Sequence, residues 1–293
     1  MVITKENTII GFIGTGLMGK SMAGHLLDAG YKLVVYNRTK EKSLELLDKG
    51  AVWVDSVLDL AKRCNLIITI IGTPKDVEEV YLGENGLMEN AKQGSILVDM
   101  TTSSPKLAVK IYEEAKGKNL SALDAPVTGG DIGAKEARLT IMVGGDKETF
   151  DEILPIFGLM GKNIVYQGES GFGQHTKICN QIAMAVTLAG VCESLAYAKK
   201  SGVNPQNVIK VLETGTAGSN ILKVHGHRML TSDFAAGFYV KHLIKDLKIA
   251  LVESKELGLD LEMLKHTITL YERLSERGEE YSGVQALFKL YVD

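Results

Sequence analysis

The run Gly11-Phe12-Ile13-Gly14-Thr15-Gly16-Leu17-Met18-Gly19 constrains the fold more than any other part of this sequence. It follows the apolar stretch from Thr8 to Ile13 and leads into an amphipathic segment at 18–29, stopped by Gly30. A strand that turns through G-x-G-x-x-G, at 14, 16 and 19, into a helix is the start of a doubly wound α/β domain. Gly14 permits the tight turn, Gly16 lets a phosphate approach the backbone, and Gly19 lets helix and strand pack closely. The helix start then turns its N–H groups, and Thr15, Leu17 and Met18 with them, toward an anion. The same letters admit two other readings. Gly14, Gly19, Lys20 and Ser21 fit G-x-x-x-x-G-K-[ST], with Ile96-Leu97-Val98-Asp99 as the companion acidic strand of an NTPase. A glycine-rich turn with no ligand is the third.

Alternation of β-rich and helical stretches extends the pattern. Strands are expected at Lys32 to Tyr36, Leu66 to Ile71, Ile96 to Val98, Leu120 to Asp124 and Thr140 to Val143. Ser104-Pro105 sets a capping hydroxyl before a first-turn proline and predicts a helix start. Strands alternating with helices predict a parallel sheet covered on both faces. Near Gly168 the pattern changes. Gly173 to Ser201 has no proline and one glycine, Gly190, and predicts a single helix of about 28 residues, roughly 40 Å long. Helical patterns follow at 204–213, 240–257, 260–277 and 283–291. The expected organisation is a Rossmann dinucleotide-binding domain over 1–167 and an all-helical domain over 168–293, joined by the long helix.

Three features favour a dinucleotide over a nucleoside triphosphate. Gly16 supplies a middle glycine that a P-loop does not require. A second strand ends about 20 residues on, where an adenine ribose sits in this fold. The second half also carries a lysine cluster that an NTPase does not need. That strand ends Tyr36-Asn37-Arg38-Thr39, with no acidic residue to hold ribose hydroxyls. Arg38 can pair with a 2′-phosphate, with Asn37 and Thr39 adding hydrogen bonds, so NADP is expected ahead of NAD. An ordinary polar turn entering the next helix is the alternative. Thr102, beyond the strand ending at Asp99, lies at the carboxyl end of the sheet, where the nicotinamide is expected.

Four blocks in order give the chain a resemblance over nearly its whole length. They are Gly11 to Gly19; Asp124-Ala125-Pro126-Val127-Thr128-Gly129-Gly130; Gly171-Phe172-Gly173-Gln174-His175-Thr176-Lys177-Ile178-Cys179-Asn180-Gln181; and Phe238 to Leu247. Together they resemble the β-hydroxyacid dehydrogenases, which include 3-hydroxyisobutyrate dehydrogenases, tartronate semialdehyde reductases and glyoxylate/succinic semialdehyde reductases. The resemblance implies an NADP-dependent oxidoreductase acting on a small 3-hydroxy acid or its semialdehyde. It implies catalysis by Lys177 with Asn180, and substrate contacts from Thr128, Gly129, Gly130, Gln181 and Phe238. Lys245 and Asp246 are implied on the cofactor side. Thr128 departs from the family's usual serine, keeping the hydroxyl and adding a methyl. Asp76 stands where some relatives have asparagine near the cofactor and is left out of the expected site. Imine reductases share the architecture but lack the lysine.

The residues themselves are compatible with these roles. Asn180 and Gln181 follow Lys177 by three and four positions and share its helix face. Carbonyl reduction needs a proton delivered as hydride arrives, and a lysine can give or take it. Taken alone, Lys177 also fits an ion-paired surface lysine. Thr128-Gly129-Gly130 follows a strand, and its N–H groups and hydroxyl can cradle a carboxylate, though a plain glycine turn would read the same. The expected partner is therefore a small carboxylate-bearing molecule.

Composition excludes several other classes. Over 293 residues, 45% hydrophobic and 24% charged, the balance is that of a globular protein. A net charge of −3 offers no basic field for nucleic acid. Glu276, Arg277, Glu279 and Glu280 read as a solvated helix end. No apolar stretch of about 18 or more residues is read, so no membrane span is expected, and the N-terminal run is too short for a secretory signal. Cytoplasmic localisation follows by elimination. Cys64, Cys179 and Cys192 fit neither zinc nor redox spacing and are expected to be small buried thiols. The six histidines form no metal constellation; His225-Gly226-His227 is isolated, and no metal is expected. The family implies a homodimer or homotetramer.

Overall fold

The computed structural model describes residues 3–292 and divides into two compact units between Lys177 and Ile178. The first unit is built on a nine-stranded sheet. Its strands are β1 (Ile9–Ile13), β2 (Lys32–Tyr36), β3 (Val52–Trp53), β4 (Leu66–Thr69), β5 (Ile96–Asp99), β6 (Ser121–Asp124), β7 (Val127–Thr128), β8 (Leu139–Gly145) and β9 (Gly161–Gly168). From β3 through β2, β1, β4 and β5 to β6 every pairing is parallel. The strand order reverses beside β1, and the doubly wound expectation is met.

Alternation along the strands explains why both faces are covered. Ile10 and Phe12 of β1, Leu33 and Val35 of β2, Leu66 and Ile68 of β4 enter one apolar cluster. Ile13, Val34, Ile67 and Leu97, one position out of phase, enter a second. A strand buried on both faces reads as a continuous apolar run, which is how these strands look in the sequence. Helix starts are also local. Ser104 accepts the amide of Leu107 ahead of Pro105–Gly117, and Thr73 with Asp76 makes a capping box on Pro74–Leu82.

The sheet is not wholly parallel. β8 runs antiparallel to β6 and β7, and β9 is parallel to β8. Only residues 129–138, including the short helix Gly130–Lys135, separate Thr128 from Leu139. A parallel crossover takes a dozen or more residues, so the chain returns antiparallel.

The second unit is helical; among its described residues no strand occurs. It holds the greater part of the long helix Phe172–Ser201, then Pro205–Thr214, Val240–Glu256 and Glu262–Glu276. Its core gathers Ala185, Leu188, Cys192 and Leu195 with Leu243, Leu247, Ala250, Tyr271 and Phe288. The final segment starts as a 3-10 helix, Val284–Phe288, rather than an α-helix. Phe172–Ser201 is long and apolar enough to cross a membrane by length and composition, which corrects the expectation that no segment reaches that threshold. Its alanines, valines and leucines raise the average although Lys177, Asn180, Gln181 and Glu193 interrupt the run. Its buried residues are packing surface for the core.

Cys64 and Cys192 are buried, and burial pushes the Cys64 thiol up to about 12. Cys179, on the long helix, is exposed, against expectation. Glu279 is also less solvated than expected. It bonds Lys289 and Ser282, and these contacts hold its carboxyl below the usual range.

Candidate active site

In the sheet unit, the loop after β1 is shaped by its glycines in three different ways. Gly14 has φ +100°, and a Cβ there would lie 2.1 Å from the Ile70 carbonyl oxygen. A Cβ on Gly19 would lie 1.9 Å from the Gly14 oxygen, so the helix Gly19–Asp28 sits against its own loop. Gly16 is the opposite case, with nothing within 4 Å of its would-be Cβ. That space lies at a helix start with no side-chain cap and no acidic residue in its first turn. It is a place for an anion, and the positive end of the helix favours one.

Asn37 braces this loop. Its Oδ1 accepts from Thr15 N at 3.1 Å and its Nδ2 donates to the Thr39 oxygen at 2.8 Å. The Thr15 hydroxyl is buried against Ser43 at 2.8 Å. Leu17 is exposed and Met18 packs against the core. Arg38 projects outward, 76% exposed, and pairs with Asp76 at 2.8 Å. Features of the NTPase reading point elsewhere: Lys20 pairs with Glu45 at 2.6 Å. Asp99 is buried, bonded to Thr69 and to the Thr101 amide.

Asp99 is a titration site in its own right. Burial, opposed by bonds from Thr101 and Thr69 and helped by Asp124, pushes its carboxyl up to about 6. The native state therefore holds this proton more tightly than the unfolded chain, and the resulting stability is lost as pH rises through about 6. Asp99→Asn, which cannot ionise, is expected to gain roughly 1–3 kcal/mol over the native protein near pH 8. The gain should fade toward pH 4. Denaturant melts at the two pH values check this; a native protein more stable than the variant at the higher pH would contradict it.

Lys177 is 6% exposed and belongs to the first turns of the long helix. The start of that helix is held by two residues that the sequence reading left unassigned. Asp124, at the end of β6, accepts from the amides of Gly171 and Gln174, each at 2.8 Å. Gln174 accepts from Ser103 N at 2.9 Å and donates to the Thr101 oxygen at 2.7 Å. Burial raises the Asp124 carboxyl even though these amides oppose the shift. Gly173 is required here: a Cβ would come within 2.7 Å of Met142 and Asp124 carbonyl oxygens. The lysine is thus carried on a rigid turn that is also bonded to the loop after β5. Thr102, half-buried, lies in that loop. Thr128 pairs with Thr140, and Gly129 and Gly130 follow with φ +129° and +66°, a backbone course that favours glycine.

In the helical unit a second set converges. Gln181 is buried; its Nε2 donates to Asp246 Oδ2 at 2.6 Å and its Oε1 accepts from Asn180 at 2.8 Å. Asp246, itself buried, pairs through Oδ1 with Lys245 at 2.9 Å. Phe238 is half-buried, and its ring lies 6.4 Å from that of His242. His242 was not foreseen; burial, then Lys245 and Lys241, lower its pKa. Among the described residues no three His, Cys, Asp or Glu gather as a metal site would need. His225 lies in the π-helical turn Leu222–Gly226, where burial holds it down at about 4.

Comparison with known proteins gives the same assignment along both units. Residues 9–168 match the family model of the NAD binding domain of 6-phosphogluconate dehydrogenase. Residues 171–291 match that described as NAD-binding of NADP-dependent 3-hydroxyisobutyrate dehydrogenase. The chain is 57% identical over 283 residues to the oxidoreductase YkwC of Bacillus subtilis, covering 97% of this chain and 98% of that protein. It is 40% identical over 252 residues to 2-hydroxy-3-oxopropionate reductase of Escherichia coli, covering 86% of each. Its fold is similar to that of the 3-hydroxyisobutyrate dehydrogenase of Mycobacterium tuberculosis, solved with L-serine, at a TM-score of 0.89 and 25% identity over 97% of this chain and 98% of that one. With a dinucleotide loop of the fitting shape and a buried lysine in the matching block, the chain belongs to the 3-hydroxyisobutyrate dehydrogenase family, as a hydroxyacid dehydrogenase that uses NAD(P).

Proposed function

We propose that the protein interconverts a small 3-hydroxy acid and its semialdehyde, prefers NADP(H) to NAD(H), and uses Lys177 to move the proton at the reacting oxygen. The observation that carries this reading is the burial of Lys177 on a helix turn fixed by Asp124 and Gln174. A lysine is almost never fully buried unless it is paired, so burial here marks a side chain held at a set position. The cofactor fits the residues present: the open space at Gly16 admits a pyrophosphate, and Arg38 stands at the end of β2, where a 2′-phosphate lies in this fold. When bound, the nicotinamide supplies hydride in reduction and accepts it in oxidation. The Lys177 ammonium then donates a proton to the developing alkoxide; in the reverse direction the neutral amine removes it from the alcohol. Asn180 and Gln181 offer amide groups on the same helix face, and Phe238 an apolar contact. We assign Lys245 and Asp246 to the cofactor, and we expect a homodimer or homotetramer.

The substrate anchor in this reading is Thr128-Gly129-Gly130. Its N–H groups and hydroxyl receive a carboxylate, which fixes one end of a short molecule and positions its carbonyl. The relative named for 2-hydroxy-3-oxopropionate, a semialdehyde acid, supports substrates of this class. The test is a semialdehyde acid against its methyl ester and its amide, each with NADPH and with NADH. Charge-assisted bonds to the carboxylate are worth about 1.5–3 kcal/mol, so kcat/KM is expected to fall at least about tenfold for both neutral derivatives. Equal values for all three would remove the anchor and favour a general aldehyde reductase. Turnover with NADH matching that with NADPH would remove the cofactor preference.

A further inference from the structure

Arg38 does not stand alone at the end of β2. Its Nη1 donates to Asp76 Oδ1 at 2.8 Å, across 38 positions of sequence. The two partners differ in freedom: the Arg38 side chain is 76% exposed and that of Asp76 only 20%. Asp76 is fixed by the capping box of helix Pro74–Leu82. Its Oδ2 accepts from the Thr73 amide at 2.8 Å and the Thr73 hydroxyl at 2.7 Å, and its own amide donates back to that hydroxyl at 3.2 Å. Gly72 leaves room for the arrangement, since a Cβ there would lie 2.8 Å from Asp76 Oδ2 and 3.9 Å from Arg38 Nη2. A rigid carboxylate thus holds a flexible guanidinium.

We propose that Asp76 is a specificity-determining residue that tempers Arg38, weakening discrimination in favour of a 2′-phosphorylated adenosine. This rests on the reading in which Arg38 meets the 2′-phosphate. Two effects act in the same direction. A phosphate must draw the guanidinium away from Asp76 or share it, and its own negative charge lies near a carboxylate that cannot swing aside. A ribose without the phosphate feels neither effect strongly. The adenosine end of the site therefore carries the Arg38 cation already neutralised, whereas Arg38 without Asp76 would offer its full charge.

Binding of adenosine 2′,5′-bisphosphate and of 5′-AMP to the full-length protein, measured by calorimetry, tests this without turnover. Asp76→Asn keeps an oxygen for the Thr73 amide and removes the charge. It is expected to tighten the bisphosphate by about three- to tenfold and to leave 5′-AMP within about twofold, the gain shrinking in high salt. A purely structural loss of the cap would shift both ligands alike. Asp76→Ser serves if the asparagine variant does not fold. Arg38→Ala should weaken the bisphosphate selectively, and in the double variant the gain from Asp76→Asn should shrink to the part owed to direct repulsion by the carboxylate. If Arg38→Ala has its selective effect while Asp76→Asn leaves the bisphosphate unchanged or weaker, the role of Asp76 is overturned and the Arg38 reading stands. If Arg38→Ala leaves the bisphosphate unaffected, the Arg38 reading fails, and the proposal with it.

Discussion

Lys177→Ala is expected to yield a folded protein that binds NADPH almost normally and turns over about 10²–10⁴-fold more slowly. Folding should survive because the start of the long helix is held by other groups. Asp124 takes the amides of Gly171 and Gln174, and Gln174 ties the turn to Thr101 and Ser103. Alanine is also the best helix former. What disappears is the proton at the reacting oxygen, so kcat and kcat/KM should fall together, the mark of an interaction made in the transition state. Lys177→Arg separates charge from proton transfer. It keeps a cation but cannot deprotonate near neutral pH, so oxidation of the alcohol should stay impaired. Cofactor titration by fluorescence and single-turnover reduction check the two halves of this expectation. Turnover of the alanine variant within about tenfold of the native protein would remove Lys177 from the chemistry.

The parts of the fold that local chemistry decides were legible in the sequence. β2 is bounded to the residue because Leu33-Val34-Val35 is buried on both faces between two parallel neighbours, while Lys32 is exposed and Tyr36 half-buried at its ends. The Ser104-Pro105 start follows from the cap residues alone. β9 was missed because it is paired on one side only, and its exposed Lys162, Asn163 and Val165 break the apolar run that marks a buried strand. The antiparallel turn of β8 depends on the length of a connection rather than on any residue. The site shows the same division. The glycine loop and Lys177 stand in contiguous blocks. Asp124, Gln174 and Asp76 act on partners 47, 71 and 38 positions away, and no local pattern marks such pairs. The signals within reach were of position only: Asp124 and Gln174 fall inside two of the four blocks, and Asp76 stands where some relatives have asparagine near the cofactor.

The glycines of the first loop should separate cofactor binding from folding. Gly16→Val is expected to melt within about 2 °C of the native protein and to lose NADPH affinity by at least about 100-fold. Its backbone is not in the left-handed region, and nothing lies within 4 Å of a Cβ built there, so the new side chain meets no protein atom at its root. It fills the space that a pyrophosphate must enter to reach the helix start. Gly14→Ala should behave in the opposite order. With φ +100° and a Cβ only 2.1 Å from the Ile70 carbonyl oxygen, it forces β1 away from the loop after β4, and the expected loss of stability is roughly 2–4 kcal/mol before any cofactor is added. Thermal melts of the apo proteins, followed by titration with NADPH, place each variant on the two axes. Native-like NADPH affinity in Gly16→Val would show that the pyrophosphate does not use this loop, and the dinucleotide site would have to be sought elsewhere on the sheet. A Gly16→Val protein that loses stability as severely as Gly14→Ala would instead mean that the open space is closed in solution. Only the combination of an intact fold and a lost cofactor matches a loop whose middle glycine serves the ligand while its neighbours serve the chain.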